Sequence, residues 1–299
     1  MSDQGPGSPR DSGPSFFRRR RVVVASVVLG SFLLSILPAA WFIQRFITFP
    51  LPRHSDAQPR ARTDNGGEQV WLDADGVRVE AWYLPPAKPQ LGAPIVIYSH
   101  GNAELIDMRA GEFGTLRAAG VGVLQVEYPG YGRSEGSPSE TSLTAALVAG
   151  YDWAVRDPRI DPQRIVGYGR SLGGGAIAQL AARRKLAALA LESTFESLGD
   201  VIEGYGLPRW MLINHFDSGA VLRRYAGPVL LLHGTLDRVF PSDNAQRLAK
   251  ASGHAEVRLD ACGHNDCPPH WELVLSFLAR NGVCKAPDPE THHENISDC

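Results

Sequence analysis

Residues 165–175 read IVGYGRSLGGG, and no other stretch limits the fold so narrowly. Ile165 and Val166 suit the end of a buried strand. Gly169, Arg170, Ser171, Leu172 and Gly173 then fit the spacing G-x-S-x-G, and the small and apolar residues from Leu172 onward suit a helix packing back on that strand. The order is strand, sharp turn, helix. So tight a turn strains the serine backbone, and a side chain at 169 or 173 would collide with the neighbouring strand or helix, so both positions need glycine. The pattern also arises by chance in glycine-rich loops, so its meaning depends on the rest of the chain.

The surrounding sequence alternates short apolar runs with helical periodicity. An opening hairpin is predicted from Val70, Trp71 and Leu72 followed by Val77, Val79, Ala81 and Tyr83 alternating beyond Gly76. From residue 95 the pattern becomes strand at 95–98, helix at 104–119, strand at 122–126, helix at 141–156 and strand at 164–168. Further strands are predicted at 187–191, 228–232 and 256–259. Short apolar runs joined by helices fit an α/β fold with a mainly parallel sheet covered on both faces. Residues 194–226 interrupt the alternation with Trp210, Met211, Leu212, Ile213 and Phe216. They read either as core-packing helices or as a small lid over an acyl pocket.

The chain of 299 residues can bury one large core. Residues 1–21 form a polar amino terminus ending in the basic run Arg18 to Arg21 and are expected to be disordered. Residues 22–44 carry no charge, and roughly 23 residues at about 1.5 Å each span a bilayer core of about 30 Å. A transmembrane anchor is the expectation, with a cleaved signal peptide as its rival. The arginines before it favour a cytoplasmic amino terminus with the large domain outside, in the periplasm or its equivalent. A linker at 45–64, one domain at 65–283 and a disordered tail at 284–299 complete the layout. With net charge −2 and no basic run beyond the anchor's flank, no nucleic-acid partner is indicated. The paired histidines His292 and His293 read as a solvated tail, so neither metal nor organic cofactor is implied.

A serine hydroxyl needs a base to become a nucleophile, and the base needs an orienting partner. His264, in ACGHND, follows the last predicted strand, and Asp237 follows the strand ending LLLHG. The order Ser171, Asp237, His264 is the one expected when all three stand on loops at one sheet edge. Glu192 is the best substitute for the acid. An oxyanion hole is expected from the backbone N–H groups of Leu172 and of Asn102, the latter in the loop YSHGNAE. Four cysteines, at 262, 267, 284 and 299, read as free thiols or one local bridge. Cys262 and Cys267 bracket His264, where a bridge would fix the histidine loop of an exported domain.

The segments HGNAE, YPGYGRSEGSPSE, GRSLGGG, LESTF, HGTLDRVFP and GHND give the chain a resemblance, over roughly residues 65–282, to serine hydrolases of the α/β-hydrolase fold. Within them it resembles a membrane-anchored group that includes depalmitoylating thioesterases and lysophospholipid lipases. The resemblance implies a small-molecule or lipid acyl substrate, cleaved at an ester or thioester bond through an acyl-enzyme. The amino terminus departs from the thioesterases, carrying a predicted span in place of a cysteine cluster. A peptidase on the same fold and a membrane-tethered relic without activity are the alternatives. Serine at position 171 disfavours a dehalogenase, which needs aspartate there.

Overall fold

The computed structural model of the protein describes residues 19–32, 34–35, 48–50, 66–204 and 206–284. Two compact units divide the chain at Gln44. In the first, residues 19–32 and 34–35 are helical, and Val22, Val24, Val27, Val28, Leu29 and Phe32 are all exposed. Among the described residues no helix is long and apolar enough to cross a membrane. Much of the predicted span, the linker from residue 51, Tyr205 and the tail from residue 285 lie outside them.

The second unit is built on an eight-stranded sheet: β1 Glu68–Ala74, β2 Val77–Leu84, β3 Ala93–Ser99, β4 Gly122–Val126, β5 Ile160–Arg170, β6 Ala188–Glu192, β7 Val229–Gly234 and β8 Glu256–Asp260. Their spatial order is β1-β2-β4-β3-β5-β6-β7-β8. β2 pairs antiparallel with β1 and with β4, and every later pairing is parallel. The opening hairpin and the mainly parallel sheet match the pattern read from the sequence.

The central strands read as unbroken apolar runs because both of their faces are buried. Along β3, Ile95 and Ile97 enter one core while Val96 and Tyr98 enter the other, the period of two that a pleated strand imposes. Helices Glu140–Arg156, Leu172–Ala181, Ser218–Leu222 and Asp243–Ser252 cover the first face. Helices Gly114–Ala118 and Trp271–Arg280 cover the second. The edge strand β8 exposes Glu256 and Arg258, charges that discourage edge-to-edge pairing with other chains.

Two regions differ from the sequence pattern. The helix predicted at 104–119 is a 3-10 stretch, Ile106–Phe113, followed by the short helix Gly114–Ala118. Gly111 and Gly114 weaken a continuous α-helix here. The insertion after β6 divides its apolar residues between the two alternatives: Phe195, Phe216 and Leu222 join the main core, whereas Leu207, Trp210 and Ile213 are exposed, Trp210 by 72%. Phe49, from the predicted linker, is also buried in that core and meets Phe216 edge to face at 6.3 Å.

Beneath the carboxyl edge of the sheet Tyr98, Phe113, Tyr168 and Trp271 form a ring cluster with centroid spacings of 4.8 to 5.7 Å. It supports the strand ends from which the loops leave. Phe113 is completely buried, so Phe113→Ala is expected to destabilise the full-length chain by about 3–5 kcal/mol in urea unfolding. A loss under about 1 kcal/mol would contradict this packing.

Candidate active site

At the end of β5 the chain turns sharply into the helix Leu172–Ala181, with Ser171 at the apex at φ 54° and ψ −121°. That backbone lies in a region L-residues rarely occupy. Three hydrogen bonds hold it: Ser171 N–H to Glu192 O at 2.9 Å, Thr194 Oγ1 to Ser171 O at 2.7 Å, and Gly174 N–H to Ser171 O at 3.0 Å. The flanking glycines are needed by close backbone approach. A Cβ on Gly169 would lie 2.3 Å from Gly173 O, and one on Gly173 would lie 2.1 Å from Ser99 O.

Two further strand ends deliver the partners. Ser171 Oγ lies 2.9 Å from His264 Nε2, and His264 Nδ1 lies 2.7 Å from Asp237 Oδ2. The other Asp237 oxygen accepts the N–H groups of Val239 and Phe240, both at 2.8 Å. Burial disfavours the Asp237 carboxylate, but hydrogen bonds from His233, His264 and the Phe240 N–H outweigh it and hold the carboxyl well below its usual range. The acid loop and the histidine loop are laced together by Leu236 N–H to Cys262 O at 2.9 Å. The histidine loop is closed by a disulfide between Cys262 and Cys267, with Cα atoms 5.1 Å apart. Of the two readings of these cysteines, the structure has the bridge.

Gly173 packs against the carbonyls of Ser99 and His100, which brings the loop at 100–104, with Asn102, to the elbow that carries Leu172. Beneath this loop, buried His100 faces an acceptor oxygen at each ring nitrogen, Glu127 Oε1 at 2.8 Å from Nε2 and Gly101 O at 2.9 Å from Nδ1. Burial works against the charged imidazole, yet the adjacent Glu127 carboxylate raises its pKa. A cleft of about 800 Å³, lined by Arg184, Lys185, Val221 and Tyr225, shares no residue with this site. It opens at the starts of β6 and β7, the opposite sheet edge, so the chemistry of the side chains locates the candidate site and cavity size does not. Among the described residues no group of three or more His, Cys, Asp or Glu could hold a metal ion.

No protein-family model matches the chain. It is 32% identical over 259 residues to an uncharacterised protein of Mycobacterium tuberculosis, an alignment covering 83% of this chain and 90% of that one. It is also 32% identical over 275 residues to the alpha/beta hydrolase domain-containing protein WAV2 of Arabidopsis thaliana, covering 80% of this chain and 88% of WAV2. The chain belongs to the α/β-hydrolase family. Among solved structures, the Pyrococcus furiosus esterase Pf2001 superposes with a TM-score of 0.62 at 18% identity, over 78% of this chain and 96% of the esterase. That likeness is one of fold.

Several residues of this α/β-hydrolase site escaped the sequence pattern. His233, within β7, approaches Asp237 Oδ2 at 3.4 Å and donates from Nε2 to Phe240 O at 2.7 Å. Its spacing of four from Asp237 was the available signal. Glu192, the alternative acid, instead accepts from Tyr168 Oη at 2.5 Å. Thr194, in LESTF, holds the serine carbonyl.

The Asp237 carboxyl is harder to protonate in the folded chain than in the unfolded one. Its contribution to stability is therefore complete above the ordinary value of 3.8 and is lost as pH falls from there toward the depressed folded value. Urea midpoints of wild type and Asp237→Asn are expected to differ by a constant amount from about pH 8 to about pH 5 and to converge below that. A gap unchanged down to about pH 2 would contradict the assignment.

Proposed function

We propose that this α/β-hydrolase is a membrane-anchored serine hydrolase that cleaves carboxylic ester or thioester bonds of acyl or lipid-like substrates. The observation that carries the reading is the continuous chain from Ser171 Oγ through His264 to Asp237, with the serine held at a strained apex. A serine with a hydrogen-bonded base and a buried acid behind it is equipped for acyl transfer.

Ser171 Oγ attacks the acyl carbonyl carbon as His264 Nε2 takes the hydroxyl proton. The Asp237 carboxylate, kept ionised by its four hydrogen-bond partners, stabilises the imidazolium that forms. The N–H groups of Leu172 and Asn102 receive the negative oxygen of the tetrahedral intermediate. Its collapse expels the alcohol or thiol, which leaves with the proton from Nε2, and an acyl-Ser171 ester remains. Water then attacks that ester with His264 again taking a proton, and the carboxylic acid departs as Ser171 recovers its own.

An apolar acyl group is supported by the exposed Leu207, Trp210 and Ile213 of the insertion after β6 and by Leu236 and Val239 around Asp237. All five follow the carboxyl ends of strands, the edge at which Ser171 stands. The anchor is supported by residues 22–32, helical and carrying apolar residues exposed around the helix, since a helix apolar all round needs an apolar surrounding. Export of the hydrolase domain is supported by the Cys262–Cys267 disulfide, because such bonds persist in oxidising compartments.

The test is hydrolysis of p-nitrophenyl esters from acetyl to palmitoyl by the full-length chain in detergent, with Ser171→Ala as the blank. The expected result is a maximum among the longer chains and a loss of at least about 10³-fold in kcat for the variant. A maximum at acetyl or butyryl would contradict the lipid-like substrate, and an unimpaired Ser171→Ala would contradict the mechanism.

A further inference from the structure

Arg170 immediately precedes the serine, yet its side chain is only 6% exposed. Burial of a guanidinium is costly unless its donors are matched, and here they are matched by two different loops. Nη1 donates to Glu104 Oε1 at 2.7 Å, and Nη2 donates to the backbone carbonyl of His264 at 2.7 Å and to Asn265 Oδ1 at 2.8 Å. Glu104 in turn accepts the Gly101 N–H on Oε2 at 2.8 Å and Arg109 Nη2 on Oε1 at 2.7 Å. Burial opposes the Glu104 carboxylate, but the charges of Arg170 and Arg109 and the hydrogen bond from Arg109 outweigh it and lower its pKa.

The consequences are mechanical and electrostatic. The imidazole of His264 is fixed from below by Asp237, but an imidazole is positioned only as well as its own main chain, and Arg170 grips that main chain at the carbonyl. At its other end the same guanidinium grips the carboxylate that orients the peptide before Asn102. Arg170 thus bridges the loop carrying the base and the loop expected to carry one of the two oxyanion donors, the Asn102 N–H. Removing Arg170 would leave the Glu104 carboxylate with Arg109 as its one remaining cation and one hydrogen bond away from the peptide that precedes the Asn102 donor, where its less balanced charge would oppose the developing oxyanion.

We propose that Arg170 and Glu104 are a pair of positioning residues that couple the His264 loop to the 100–104 loop and hold the Glu104 charge neutralised beside the oxyanion. The inference rests on the acyl-transfer reading given above. It assigns the pair a role in kcat and leaves substrate binding to other residues.

The experiment is a double-mutant cycle in the full-length chain, read as kcat and KM on p-nitrophenyl octanoate and accompanied by near-ultraviolet circular dichroism as the folding control. Arg170→Met is expected to lower kcat about 100-fold with KM changed less than about threefold, the scale of a displaced catalytic group. Arg170→Met combined with Glu104→Gln is expected to recover at least about tenfold of that loss, because the carboxylate left with Arg109 as its one remaining cation is gone while Gln can still accept the Gly101 N–H. Arg170→Lys, which keeps the charge but not the fork, is expected to fall between wild type and Arg170→Met. A folded Arg170→Met with unchanged kcat, a change confined to KM, or a double variant no faster than the single one would overturn the proposal. Should Arg170→Met fail to fold, Glu104→Gln alone decides: a folded variant with kcat lowered about tenfold supports the pair, and unchanged kcat overturns it. A wild-type chain no faster than Ser171→Ala would sink the acyl-transfer reading and this inference together. An active wild type with an indifferent Arg170→Met would sink this inference alone.

Discussion

A serine at φ 54° is held against its own preference, and the surrounding structure is what makes that conformation the stable one. Strain of this kind costs roughly 1–3 kcal/mol and persists only where neighbours over-determine it. Here β5 cannot continue past Arg170 because the helix Leu172–Ala181 begins immediately, and that helix can lie close only because Gly169 and Gly173 have no Cβ. The parallel pairing of β3 with β5 aligns Ser99 with Gly169, which sets the 100–104 loop against the turn. The pairing of β5 with β6 aligns Arg170 with Glu192, so the carbonyl of Glu192 receives the serine N–H. The strained residue is thus clamped by strands on both sides.

From that clamp the rest of the site follows by connectivity. β7 and β8 lie next in the sheet, so the loops leaving them reach over the same edge, and Leu236 N–H to Cys262 O ties one to the other. Asp237 is buried with both oxygens occupied, which keeps it an acceptor for His264 Nδ1 and thereby leaves Nε2 free to face Ser171. For three buried charged or titratable groups the burial cost is met locally: Asp237 by backbone N–H groups, His100 by Glu127, and Arg170 by Glu104 and the histidine loop. A site assembled from four strand ends needs each loop fixed separately, and each has its own buried polar partner.

The parts of this arrangement legible in the sequence are those with local signatures. The glycine spacing around Ser171, the apolar runs of β3 to β7 and the order of Ser171, Asp237 and His264 each follow from short-range chemistry. What escaped is long-range. Arg170 and Glu104 are 66 residues apart, and nothing near either reveals that they meet. His233 reads as a strand residue because it is one, and only the turn after β7 aims it at Asp237. The region from 106 to 118 has helical periodicity, but Gly111 and Gly114 break it into a 3-10 stretch and a single turn. The insertion after β6 mixes core and surface apolar residues within a few positions, so composition could not separate packing from pocket. The cysteine pair was a matter of distance, with two open readings until Cys262 and Cys267 were seen joined.

The central claim is that Ser171, activated by His264, is the nucleophile. Its most direct test is covalent: the full-length chain is treated with a fluorophosphonate, and the adduct is weighed on the intact protein and mapped by peptide sequencing. One adduct per chain on Ser171, forming quickly in wild type and slowed by at least about 100-fold in His264→Ala, is the result predicted. An unmodified chain, an adduct on another residue, or labelling of Ser171 that ignores the loss of His264 would contradict the account.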